Sequence, residues 1–143
     1  MQASFYLTLL FCAALVGSLL VKFWLVTRQV RHVAAHRGAV PAAFRGTVTL
    51  AAHQRAADYT LAKARFGLLG TAVGAAVLLG WTLLGGLDAL NEAMRDGIAP
   101  RWGAMAYQLS LLAAFALIGG LLEIPFDLYG TFRIEERFGF NRM

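Results

Sequence analysis

Few residues in this chain could do chemistry, and their spacing limits what each can be. His32 and His36 stand four apart, the separation at which two imidazoles on one helix face share a zinc ion. Val33 fills the place where a zinc hydrolase of that pattern carries its glutamate base, and no carboxylate follows on that face. The pair therefore reads as surface histidines. His53, beside Gln54 and Arg55, is a single polar contact that cannot hold a metal alone. Glu123 and Asp127 are the one carboxylate pair worth weighing, with Pro125 between them. A carboxylate at a membrane boundary is a functional candidate, but acid–base work also needs a nucleophile, a metal or a pocket. The competing reading pairs Glu123 with Arg133 or with an arginine of the 27–65 segment. Cys12, the only cysteine, lies in an apolar run, so neither a disulfide framework nor a zinc ribbon is available. It reads as a buried, inert thiol. No serine or cysteine nucleophile with a base, no glycine-rich phosphate loop and no internal repeat is present. No catalytic residue and no metal ligand is assigned.

The elements that must position these residues are apolar. Of 143 residues, 59% are hydrophobic and only 15% charged, which argues against a water-soluble domain. Residues 5–26 carry one charge, Lys22, and are long enough to cross about 30 Å of hydrocarbon. Lys22 can snorkel to the interface, where Trp24 also belongs. The positive charge follows the apolar run, whereas a cleavable signal peptide has it in front, so a retained helix is expected. Residues 66–87 form a second span without a charge, and residues 102–122 a third. Gly67, Gly70 and Gly74 give the small-residue spacing that lets helices approach closely in lipid, with matching positions at Ala13, Gly17, Ala14 and Ser18. A hairpin of spans one and two is the modest inference. The fold class is thus an all-α membrane protein with three transmembrane helices and a helical cytoplasmic insert between the first and second.

That insert, residues 27–65, carries seven basic residues against Asp58 alone, a net charge of +6. Gly38 and Pro41 divide it into a short helix and a longer one capped by Thr47 or Thr49. Arg55 and Asp58, three apart, and Tyr59 and Lys63, four apart, can touch on its surface. The segment reads either as a solvated basic stretch near head groups or as a platform for a cytoplasmic domain. The connection 88–101 is net −1, flanked by Trp81 and Trp102 as interfacial anchors. Excess basic charge marks the cytoplasmic side, so the N-terminus is expected outside and the C-terminus inside. Basic charge here is topological, and no nucleic-acid partner follows from it.

The end of the chain, residues 123–143, changes character. Pro125 bends or ends the helix arriving from Tyr107. Phe126, Tyr129 and Phe132 then form an aromatic ridge along a new helix. Arg133-Ile-Glu-Glu-Arg137 alternates in charge, with Glu135 and Glu136 read as partners for Arg133 and Arg137. Phe138-Gly139-Phe140-Asn141 suits a tight turn whose aromatics need a surface to bury them. The chain stops two residues later, so its end reads as a cut through a motif.

The run from Pro125 to Asn141 resembles the segment closing the N-terminal membrane region of the CAAX prenyl protease family, integral-membrane zinc endopeptidases, and is nearest in flavour to bacterial members. Its Ile-Glu-Glu-Arg-Phe-Gly-Phe-Asn core is long and compositionally odd. A second match, His53-Gln54-Arg55-Ala-Ala-Asp58-Tyr59-Thr-Leu-Ala-Lys63-Ala-Arg65-Phe-Gly67, sits where that family has its first internal loop. The resemblance implies an integral protein of a bacterial inner membrane that supplies helical chamber walls and a docking surface. Docking would fall to Glu123, Pro125, Phe126, Tyr129, Arg133, Glu135, Glu136, Arg137, Phe138, Gly139, Phe140 and Asn141. His53, Gln54, Asp58, Tyr59, Lys63 and Arg65 would serve the insert. The family's H-E-x-x-H signature does not occur in this chain. Zinc and a peptide substrate are therefore expected only with a catalytic region supplied by further polypeptide, and the chain alone is expected to be inactive. The expected partners are the lipid bilayer and that region. A different class of function, a non-enzymatic membrane scaffold binding a protein through its cytoplasmic face, fits the same composition.

Overall fold

The structure, a computed structural model, describes residues 2–139 and is helical throughout, with no strand among the described residues. Helix α1 is Gln2–His36, α2 is Leu50–Thr82 and α3 is Gly86–Tyr129. A short 3₁₀ turn, Ala42–Phe44, lies between α1 and α2. A wide π-helical turn, Gly130–Glu135, leads from α3 to the three-residue α4, Glu136–Phe138. Each of the three long helices is long and apolar enough to cross a membrane. The protein is an all-α integral membrane protein.

Lipid as solvent explains the side-chain distribution. Among the described residues only Ala57, Ala75 and Ile134 are buried apolar residues, while Leu7, Leu20, Leu112 and Leu117 are each 67% exposed. Water would penalise such a surface at once; hydrocarbon does not, and it forces the backbone to satisfy its own hydrogen bonds as helix. Cys12 is half-buried on α1, more open than the inert core thiol its apolar neighbours suggest. The small residues do not act as expected either. A Cβ added at Gly17, Gly67, Gly70 or Gly74 would meet nothing within 4 Å. No neighbouring helix is therefore drawn against them.

The helices are longer than the spans read from composition, and this changes what the insert is. At about 1.5 Å per residue, the 35 residues of α1 and the 33 of α2 each reach about 50 Å, well beyond a 30 Å core. The predicted separate first helix of the insert is simply the end of α1. Its longer second helix is the start of α2. Thr49 caps α2: the Ala52 N–H donates to Thr49 Oγ1 at 3.2 Å, and the His53 N–H donates to the Thr49 carbonyl at 3.0 Å.

Helix α3 differs most from expectation. The connection 88–101 is helical, and the break falls at Gly103, with φ 81° and ψ 176°. That backbone region is accessible almost only to glycine, so Gly103 decides where the helix interrupts itself. Pro125 does not end α3, which runs on to Tyr129. The proline removes one backbone donor, a loss that helices in membranes tolerate. Phe126 and Tyr129 thus lie in the last turn of the same helix rather than on a new one, and Phe132 lies in the π turn.

The chain divides into two compact units: residues up to Ala72 together with those from Gly130 onward, and Val73–Tyr129. In the second, Trp81 packs edge-on against Phe115 with centroids 5.2 Å apart, and the Tyr107 hydroxyl donates to Asn91 Oδ1. Trp102 is 75% exposed. Trp81 is half-buried.

Candidate functional site

In the first unit, the end of α1 is tied to the start of α2 by two contacts. His53 Nε2 donates to the carbonyl of His36 at 3.2 Å, satisfying one of the acceptors left open at a helix C-terminus. Arg37 Nη2 donates to Asp58 Oδ2 at 2.8 Å. Sequence spacing offers Asp58 to Arg55; the fold gives it to Arg37 instead, because the turn after His36 brings Arg37 back across α2. His36 is held in turn, its Nδ1 donating to the His32 carbonyl at 2.8 Å, with the two rings 4.2 Å apart. A carbonyl only accepts, so Nδ1 of His36 and Nε2 of His53 must carry protons. Both nitrogens are spent on backbone. Among the described residues no group of three side chains could hold a metal.

One turn further along α2, Tyr59 and Lys63 meet the returning end of the chain. The Lys63 ammonium donates to the Tyr59 hydroxyl at 3.1 Å, the contact their four-residue spacing predicts. Its Nζ lies 3.8 Å from Glu135 Oε1, and the Tyr59 and Phe138 rings pack edge to face at 5.7 Å and 70°. Lys63 precedes the apolar stretch that begins at Phe66, and its ammonium titrates above its ordinary value. The hydrogen bond it donates to Tyr59 is the main cause, with the Glu135 carboxylate adding less. Ile134 is buried under this turn. A Cβ on Gly130 would lie 3.8 Å from the Phe66 ring, an ordinary contact that places the π turn beside α2. Gly139, at φ 74° and ψ 24°, closes α4 in the left-handed conformation, and its N–H donates to the Glu136 carbonyl.

The two motifs singled out in the sequence are therefore brought together in part. His53, Asp58, Tyr59 and Lys63 of one share a unit with Arg133, Glu135, Glu136, Arg137, Phe138 and Gly139 of the other. Gln54 is half-buried and Arg65 exposed on α2. Glu123, Pro125, Phe126 and Tyr129 belong to the other unit. Glu123 and Asp127 are exposed. Glu135 faces Lys63 rather than Arg133 or Arg137, and the Arg137 guanidinium lies 5.8 Å from the Phe138 ring centre. Phe140 and Asn141 lie outside the described residues.

Two members of the site carry weaker sequence signals. Ile134 is the lone aliphatic side chain in a charged run, and that isolation is the one clue to its burial. Arg37 gives no clue, because nothing in its spacing distinguishes it from the other arginines of the basic segment.

Against known proteins, residues 29–143 match the family described as CAAX prenyl protease N-terminal, five membrane helices. The match takes in the end of α1, both motifs and all of α2 and α3. Neither curated proteins nor solved structures give a match.

Proposed function

Because the chain belongs to the family of CAAX prenyl protease N-terminal regions, we propose that it forms the membrane-embedded part of a zinc-dependent endopeptidase. It would contribute chamber walls and a docking surface and leave the zinc to other polypeptide. The observation that carries this reading is the Tyr59–Phe138 and Lys63–Glu135 cluster. It joins two family-like motifs with 57 residues between them into one compact surface. Such a surface offers the half-buried Tyr59 and Phe138 rings and charges of both signs. A partner domain needs that combination: an apolar centre to drive association and a charged rim to set its register.

The positive-inside rule places this surface, with the basic ends of α1 and α2, in the cytoplasm, and the N-terminus and the 88–101 segment outside. The proposed docking residues are Glu135, Glu136, Arg137, Phe138 and Asn141. In this reading the zinc is held by other polypeptide, and no residue of this chain is assigned to it; among the described residues no group of three His, Cys, Asp or Glu side chains stands together. No chemical step is therefore routed through these residues. In this reading the chain's work is to hold peptide and catalytic region in place, excluding lipid from the chamber.

Two measurements test the proposal. The purified chain should show no peptidase activity and no stoichiometric zinc; one tightly bound zinc per chain by elemental analysis would overturn the assignment. A photo-crosslinking residue in place of Glu136, which is exposed, should capture a CAAX-type zinc-protease catalytic region supplied in trans. Capture at exposed Arg45, on the 36–50 connection, but not at position 136 would place the docking surface elsewhere.

A further inference from the structure

A groove of about 530 Å³ runs between α1 and α2 and is open on one side. Its walls come from Lys22, Leu25, Val26 and Gln29 on α1 and from Tyr59 through Thr71 on α2. It straddles the place where the apolar stretches give way to the basic ends of both helices: Val26 closes the first, and Phe66 opens the second. Two ammonium groups line it, Lys22 and Lys63, and no carboxylate does. Lys22 has no ion-pair partner among the described residues, while Lys63 has Glu135 at 3.8 Å. The deeper walls are apolar, and Gly67 leaves them open because nothing lies within 4 Å of where its Cβ would stand.

We infer that this groove is a binding site for one anionic phospholipid, its phosphate between Lys22 and Lys63 and an acyl chain along Leu25, Val26 and Leu68. Charge selects the occupant. Two cations without a lining carboxylate, at head-group depth and one of them, Lys63, within a segment of net charge +6, favour an anionic head group over a zwitterionic one. Shape selects it too, because a polar mouth over an apolar trough matches a molecule with a phosphate at one end and hydrocarbon at the other. Gln29 stands at the mouth to donate its amide, whereas the Thr60 hydroxyl is already committed to the Ala56 carbonyl at 2.9 Å. The site would tie the hairpin to lipid composition without any part in peptide-bond chemistry.

The test is native mass spectrometry of the full chain released from detergent micelles and titrated with phosphatidylglycerol or phosphatidylcholine. One phosphatidylglycerol should be retained about tenfold more tightly than phosphatidylcholine; two unopposed lysines would give roughly thirtyfold, and Glu135 lowers that. The double substitution Lys22→Gln/Lys63→Gln should abolish the preference. Gly67→Leu, which fills the trough and keeps both charges, should also lose the bound lipid, and it covers the case in which the lysine variant is poorly folded. Arg28→Gln/Arg31→Gln removes equal charge from the opposite face of α1, where these arginines line a separate groove with Trp24, and should leave the preference intact. Equal retention of both lipids, an equal loss in the arginine variant, or displacement by millimolar inorganic phosphate would each overturn the proposal.

Discussion

Replacing Tyr59 and Phe138 by alanine, singly and together, tests whether the end of the chain is held by its aromatic contact. The rings meet edge to face at 5.7 Å, an arrangement that contributes about 0.5–1.5 kcal/mol beyond the area it buries. The neighbouring Lys63–Glu135 pair is weaker. Its separation is 3.8 Å and its side chains are 63% and 35% exposed, so solvent screening leaves it under about 0.5 kcal/mol. The aromatic contact should therefore dominate. Hydrogen exchange of the amides of Ile134, Glu135 and Glu136 in micelles reads the opening of this segment directly. In a double-mutant cycle, Tyr59→Ala and Phe138→Ala should show a coupling of about two- to thirteenfold in the opening constant. Tyr59→Phe keeps the ring and removes only the hydroxyl that receives Lys63, so it should retain the coupling. Lys63→Gln/Glu135→Gln should change the opening by no more than about twofold. Strictly additive effects of the two alanine substitutions would refute the docked arrangement, and so would a larger loss from the ion pair than from the rings.

Three further outcomes follow from the same geometry. Thr49→Ala removes the cap on α2 and should raise exchange at the Ala51, Ala52 and His53 amides about fivefold, the equivalent of about 1 kcal/mol, whereas Thr49→Ser should not. Gly103→Ala forces a Cβ into a backbone region that excludes it and should cost about 1–3 kcal/mol in detergent unfolding followed through Trp102. An unchanged midpoint would show that the interruption of α3 is not held by this glycine. In a Cys12→Ser background, a membrane-impermeant maleimide applied to intact cells should label Asp96→Cys but reach Arg45→Cys only after permeabilisation. The reverse pattern would invert the proposed orientation.

The sequence alone determined that this is a helical membrane protein with three spans and a basic segment between the first two, and it pointed to the family. Lipid makes those features legible: hydrocarbon tolerates long uncharged stretches and imposes one secondary structure on them. Local chemistry was legible for the same kind of reason. Thr49 as a cap and Tyr59 with Lys63 depend on contacts within four residues. Partner choice across the chain was not. Asp58 takes Arg37 over Arg55, and Glu135 takes Lys63 over Arg133 and Arg137, because helix spacing only states which pairs can meet. Which pair does meet depends on how α1 returns along α2 and where the π turn sets the last residues. The burial of Ile134 depends on that three-dimensional path as well, whereas the break at Gly103 and the run of α3 through Pro125 show only in the backbone of α3 itself. Tertiary structure also turned two separate motifs into one surface, since the energy that joins Tyr59 to Phe138 exists only once both ends of the unit are in place.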